Sequence, residues 1–103
     1  MTELNKSAFL ETIGQDVPTV VDFWATWCMP CQVFAPVVEE IAGEMDGKAN
    51  FGKVNIDEER DLAIEYGVSS IPTLVIFKGG KEVERLVGVR KKAEVVEAVD
   101  KYC

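Results

Sequence analysis

Histidine is absent from the 103 residues, and cysteine occurs only three times. Cys28 and Cys31 therefore lack the second ligand pair that a zinc site needs, because Cys103 is remote in sequence. No apolar run approaches the roughly 18 residues of a membrane span. Basic side chains are few: 11 Lys and Arg stand against 18 Asp and Glu, a formal net charge of -7, and they form no stripe. That balance disfavours nucleic acid and anionic membrane surfaces as partners, since a polyanion is repelled. Repeats, linkers, low-complexity tracts and metal, nucleotide or flavin motifs are all missing. The segment Met1-Thr2-Glu3-Leu4-Asn5-Lys6 has no basic stretch leading into an apolar one, so a cytoplasmic location is the simplest expectation. With 48% hydrophobic and 28% charged residues, the composition is that of one globular domain spanning 1–103.

What is there centres on Trp27-Cys28-Met29-Pro30-Cys31, directly after the apolar run Val20-Val21-Asp22-Phe23-Trp24-Ala25. Two cysteines at i and i+3 on a first helical turn can close a short disulfide ring, and the free N–H groups there stabilise a thiolate. Pro30 suits the first helical position, having no N–H to leave unpaired, so a helix is expected to begin between the two sulfurs. Cys28 is then the exposed sulfur and Cys31 the inner one. Asp22 falls inside a strand that reads as buried on both faces, where a charge costs several kcal/mol unless paired or functional. A buried carboxyl beside a dithiol is a candidate proton acceptor.

In chain order, a very short strand is expected near Thr2–Leu4, then a helix capped by Asn5 and closed by Gly14. Thr19–Ala25 reads as a central strand. Phe34, Val38, Ile41, Ala42 and Met45 recur at helical spacing, predicting a long helix that Pro36 kinks and Gly47 ends. Asn50–Ile56 reads as a second buried strand in which Lys53 is the unexpected residue; a Lys near Asp22 makes sense of both charges. Asp57 is placed as the cap of a helix over Glu58–Tyr66, stopped by Gly67. Strands Thr73–Lys78 and Lys81–Gly88 flank the hairpin signal Gly79-Gly80. A last helix spans Lys91–Tyr102, with Glu97 and Lys101 as an i,i+4 pair. The order predicts a parallel crossover unit followed by an antiparallel return, hence an α/β fold with a mixed sheet.

The segment Val21-Asp22-Phe23-Trp24-Ala25-Thr26-Trp27-Cys28-Met29-Pro30-Cys31 resembles the active-site segment of the thioredoxin family. Further motifs agree with it: Ala35-Pro36, Lys53-Val54-Asn55-Ile56-Asp57, Ile71-Pro72-Thr73, Phe77-Lys78-Gly79-Gly80 and Val87-Gly88. The resemblance covers essentially the whole chain. It implies the thioredoxin fold, a central mixed five-stranded sheet flanked by four helices. It also implies a protein-disulfide reductase, with Cys28 as the attacking thiol and Cys31 as the resolving one. Asp22 would help deprotonate Cys31, with Lys53 as its electrostatic partner. Pro72 matches the family's cis-proline, while Trp27, Ile56, Ser70, Ile71, Gly88 and Val89 fall where the family forms an apolar docking rim. The implied cofactor is none beyond the redox disulfide Cys28–Cys31. The implied partners are disulfide-containing proteins and a thioredoxin reductase or equivalent electron donor, with the chain a monomer.

Two positions depart from the family's commonest pattern. Met29 replaces the usual Gly before Pro30, adding an adaptable apolar contact beside the sulfur, and Gln32 stands where a Lys is frequent. Both bear on the reduction potential, so a disulfide oxidase or isomerase is the nearer rival to the reductase. A non-catalytic binding module on the same fold is the more distant one. Asp22 and Lys53 also admit a purely structural reading as a buried pair, Trp24 one as a core aromatic, and Cys103 one as an inert terminal thiol.

Overall fold

The computed structural model describes residues 1–103. Its elements run β1 (Thr2–Glu3), α1 (Lys6–Ile13), β2 (Thr19–Trp24), α2 (Met29–Glu44), β3 (Asn50–Asn55), α3 (Arg60–Glu65), β4 (Thr73–Lys78), β5 (Lys81–Val87) and α4 (Lys92–Asp100). The five strands form one sheet in the order β1-β3-β2-β4-β5. β1, β3 and β2 are parallel, whereas β4 runs antiparallel to both of its neighbours, β2 and β5. The expected mixed sheet with four helices is thus present.

Successive strand side chains point to opposite faces, and this alternation sorts the core into two layers. Val20, Leu74 and Ile76 pack with Phe34, Val38 and Ile41 of α2 and Val95 and Val99 of α4. Val21, Phe23, Val75 and Phe77 face the other way, onto Phe9 and Ile13 of α1 and Leu62 of α3. There the rings of Phe9, Tyr66 and Phe77 meet edge to face in all three pairs, with centroids 5.2–5.5 Å apart. By the same alternation Asp22 and Trp24 share the α2 face with Val20. That parity brings a carboxyl under the dithiol helix.

Local signals account for most boundaries. Asn5 caps α1, its Oδ1 accepting the Ala8 N–H at 2.8 Å. Gly79 and Gly80 both take positive φ, as a tight two-residue hairpin requires, and the Gly80 N–H reaches back to Ile13 O at 2.8 Å. α2 runs unbroken through Pro36, and it ends at Glu44 with Met45 as its C-cap rather than at Gly47. α3 starts later than expected: Asp57 belongs to a turn in which its N–H donates to Asn55 Oδ1 at 2.9 Å, and Glu59 is the N-cap. Asp57 is drawn away from capping because its carboxylate is used elsewhere, as shown below. Lys101 likewise leaves Glu97 and reaches Glu84 on β5 at 3.1 Å, a contact across elements that helical spacing does not foresee. No helix is long and apolar enough to cross a membrane.

Candidate active site

β2 delivers the chain to the site, and after the four residues Ala25–Cys28 α2 begins. Cys28 is the N-cap of α2, with extended φ and ψ, and its Sγ accepts the Cys31 N–H at 3.2 Å. Met29 is the first helical residue and Pro30 the second, so proline sits one position further in than expected, still among N–H groups that have no intrahelical acceptor. The Gln32 side-chain amide donates to Thr26 O at 2.8 Å and braces the turn. Gln32, the residue in place of a cation, thus serves as a strut. Cys28 and Cys31 are joined as a disulfide, with Cα atoms 5.3 Å apart.

The expectation of an exposed Cys28 sulfur is corrected by the structure. Cys28 is 5% exposed and Cys31 4%, nearly equal. The sulfur of Cys28 turns into the helical turn to accept a hydrogen bond, and Ile56 and Ile71 pack against the pair. What separates the two cysteines is what each faces. Cys28 Sγ lies 3.8 Å from the carbonyl oxygen of Ile71, at the cis Ile71–Pro72 bond. Cys31 instead borders a partly open cavity of about 90 Å³ that it shares with Asp22, Trp24 and Lys53.

Asp22 is 4% exposed, and its Oδ1 has no hydrogen-bond partner. Burial pushes its carboxyl up from 3.8 to about 7, against the pull of the Lys53 ammonium and with a further push from Glu3. Lys53 sits directly beside Asp22 in the β2–β3 register. No ion pair joins them; the ammonium rests instead 4.7 Å from the centre of the Trp24 ring. Lys53 therefore acts on Asp22 through space.

The rim residues surround this point. Trp27 and Met29 are each 67% exposed and Val89 50%, whereas Ile56, Ile71 and Gly88 are half-buried, Ser70 is exposed and Pro72 is buried. The Trp27 indole N–H donates to Asp57 Oδ2 at 2.8 Å, which fixes the exposed ring. Gly88, at φ +86°, donates its N–H to Pro72 O at 2.8 Å and ties the end of β5 to the proline segment. Trp24 is half-buried and donates its indole N–H to Glu3 Oε1 at 3.2 Å.

Sequence reasoning missed Glu3 and the use made of Asp57. Both contacts join residues far apart in the chain, and neither has a local spacing that would reveal it. No cluster of three His, Cys, Asp or Glu side chains is arranged to hold a metal ion. The most spacious groove, about 710 Å³ between α1 and α2, contains neither redox cysteine.

A dithiol ring at a helix N-terminus exchanges with external disulfides more readily than an isolated thiol does, since the helix end favours the thiolate. The class defined by this fold and site is therefore a thiol–disulfide oxidoreductase. Residues 1–101 match the thioredoxin family profile. The chain is 50% identical over 97 residues to the chloroplastic M-type thioredoxin of Chlamydomonas reinhardtii, spanning 94% of this chain and 67% of that one. To the thioredoxin of Staphylococcus saprophyticus it is 44% identical over 102 residues, 99% of this chain and 97% of the other. The crystal structure of Malassezia sympodialis thioredoxin superposes with a TM-score of 0.90 at 34% identity, covering 98% of this chain and 91% of that one. The chain belongs to the thioredoxin family. It is a protein-disulfide reductase that works by exchange at Cys28 and Cys31, with no cofactor beyond that redox-active disulfide. Its partners are, in general terms, disulfide-bearing proteins and a reductase.

Proposed function

We propose that the Cys28 thiolate attacks a substrate disulfide and that Asp22 then accepts the proton of Cys31. In the first step a Cys28–substrate disulfide forms, and one substrate sulfur leaves as thiolate. In the second, Cys31 loses its proton to the Asp22 carboxylate and attacks Cys28 Sγ. The Cys28–Cys31 bond closes, and the other substrate sulfur departs. Two electrons pass to the substrate, and a thioredoxin reductase or an equivalent donor restores the dithiol.

The observation that carries this assignment is the asymmetry of surroundings. Cys28 lies against the Ile71 carbonyl on the rim side, while Cys31 shares a cavity with an unpaired buried carboxyl. A carboxyl titrating at about 7 can both take and return a proton near neutral pH. Trp27, Met29, Pro30, Ile56, Ser70, Ile71, Pro72, Gly88 and Val89 form the docking rim, on which an extended substrate segment lies beside the Ile71 backbone. Lys53 moderates the proton affinity of Asp22. Residues 1–103 act as one domain and as a monomer in the cytoplasm, where such a dithiol stays reduced.

The test is trapping. Cys31→Ser, mixed with a disulfide-containing protein, should accumulate a mixed disulfide through Cys28 on non-reducing gels. Cys28→Ser should accumulate none. Equal trapping by both variants would overturn the role assignment.

A further inference from the structure

Three charges lie in one row across the sheet: Glu3 of β1 is in register with Lys53 of β3, and Lys53 with Asp22 of β2. Lys53 stands between two carboxylates and makes an ion pair with neither. The reason lies one row further along, where Trp24 and Asn55 are neighbours. Glu3 reaches across to both. Its Oε1 accepts the Trp24 indole N–H at 3.2 Å, and its Oε2 accepts the Asn55 backbone N–H at 2.9 Å. β1 is only two residues long, so the Glu3 side chain takes the place of a ladder acceptor where the strand stops.

With both carboxylate oxygens engaged, Glu3 holds the indole in one orientation. Over that ring the Lys53 ammonium rests, 4.7 Å from its centre, in a cation–π contact. The charged groups near Asp22 are few. Lys53 and Glu3 act on it from the sheet, and the adjoining cavity is lined by the disulfide-bonded Cys31 and by Glu39 of α2 and Met1, whose ammonium is paired with Glu39 Oε1 at 2.7 Å. The β4 neighbour, Leu74, carries no charge.

We propose that Glu3 is a positioning residue for the exchange reaction: by pinning the Trp24 indole it keeps the Lys53 ammonium on the ring and off the Asp22 carboxylate. The inference rests on the reading of Asp22 as proton acceptor. It extends that reading to a side chain on the edge strand that touches neither sulfur. Glu3 acts in two ways that add, as a brace on Trp24 and as a negative charge near Asp22, and both favour the protonated carboxyl.

The two parts separate by substitution in the full chain. Glu3→Ala removes brace and charge together. Glu3→Gln removes the charge and leaves an oxygen to accept the indole N–H. The readouts are the carboxyl carbon resonance of Asp22 followed against pH, the Trp24 indole N–H resonance, and the pH profile of insulin reduction. In Glu3→Ala the Asp22 midpoint should fall by about one pH unit, the indole N–H should lose its hydrogen-bonded shift, and the rate profile should move with the midpoint. Glu3→Gln should keep the indole signal and show a smaller fall.

An unmoved midpoint in Glu3→Ala would overturn the proposal, and equal falls in both variants would reduce Glu3 to a charge with no positioning role. The midpoint is read without turnover. A rate profile that Asp22→Asn leaves unchanged would instead sink the proton-acceptor reading, whatever Glu3 does to the midpoint.

Discussion

Replacing Asp22 by Asn should make the protein more stable above neutral pH, by an amount the structure sets. The carboxyl is buried, has one oxygen without a partner, and titrates at about 7 where an ordinary carboxylate titrates at 3.8. Between these values the folded chain holds a proton that the unfolded chain has released, so unfolding releases a proton and stability falls as pH rises. Above about 7 the charged form is buried and the full cost is present. At about 1.36 kcal/mol per pH unit, the separation amounts to about 4 kcal/mol. Asn keeps the shape and cannot ionise.

Urea unfolding of the disulfide form, in which no thiol at the site titrates, should give matching midpoints for the two proteins near pH 4. At pH 8.5 the variant midpoint should be higher by about 2–3 M, taking a slope of about 1.5 kcal/mol per M. The other carboxylates are shared, so the difference isolates Asp22. Parallel stability curves across this range, or a variant less stable at pH 8.5, would refute the account of Asp22 as an unpaired buried acid.

Two further expectations rest on other contacts. A Cβ at Gly52 would lie 2.5 Å from Leu4 Cδ1, so Gly52→Ala should lower unfolding stability by about 1–3 kcal/mol as Leu4 and β1 shift; an unchanged urea midpoint would mean that Leu4 yields freely. Asp57→Ala removes the acceptor at 2.8 Å from the Trp27 indole, a bond worth about 1 kcal/mol. Fluorescence anisotropy of Trp27, read in a Trp24→Phe background, should fall and KM for a disulfide protein should rise while kcat holds; identical anisotropy would show the ring to be fixed by other contacts.

The dithiol, its helix and most of the fold were legible in the order of residues because their signals are local. Cys28 and Cys31 at i and i+3, Pro30 between them, Asn5 before α1, and Gly79-Gly80 between two apolar strands each act within a few residues. A charge amid the apolar run of β2 was enough to single out Asp22, and alternation along the strand puts it on the face of Val20 and Trp24, opposite Val21 and Phe23. The family's motifs, met at the active-site segment and at five further places, then implied the chemistry.

Tertiary structure alone decided the rest. Cys28 is as buried as Cys31, because Ile56 and Ile71, brought from distant loops, close over both. Lys53 lies beside Asp22 yet rests on Trp24. Asp57 holds Trp27 in place of capping α3, and Glu3 ties the edge strand to the indole behind the site. Each of these depends on which strands become neighbours in the sheet and where long side chains then find partners. A side chain's own sequence neighbours carry no record of that choice, since it is made by contacts between residues 21 to 52 positions apart.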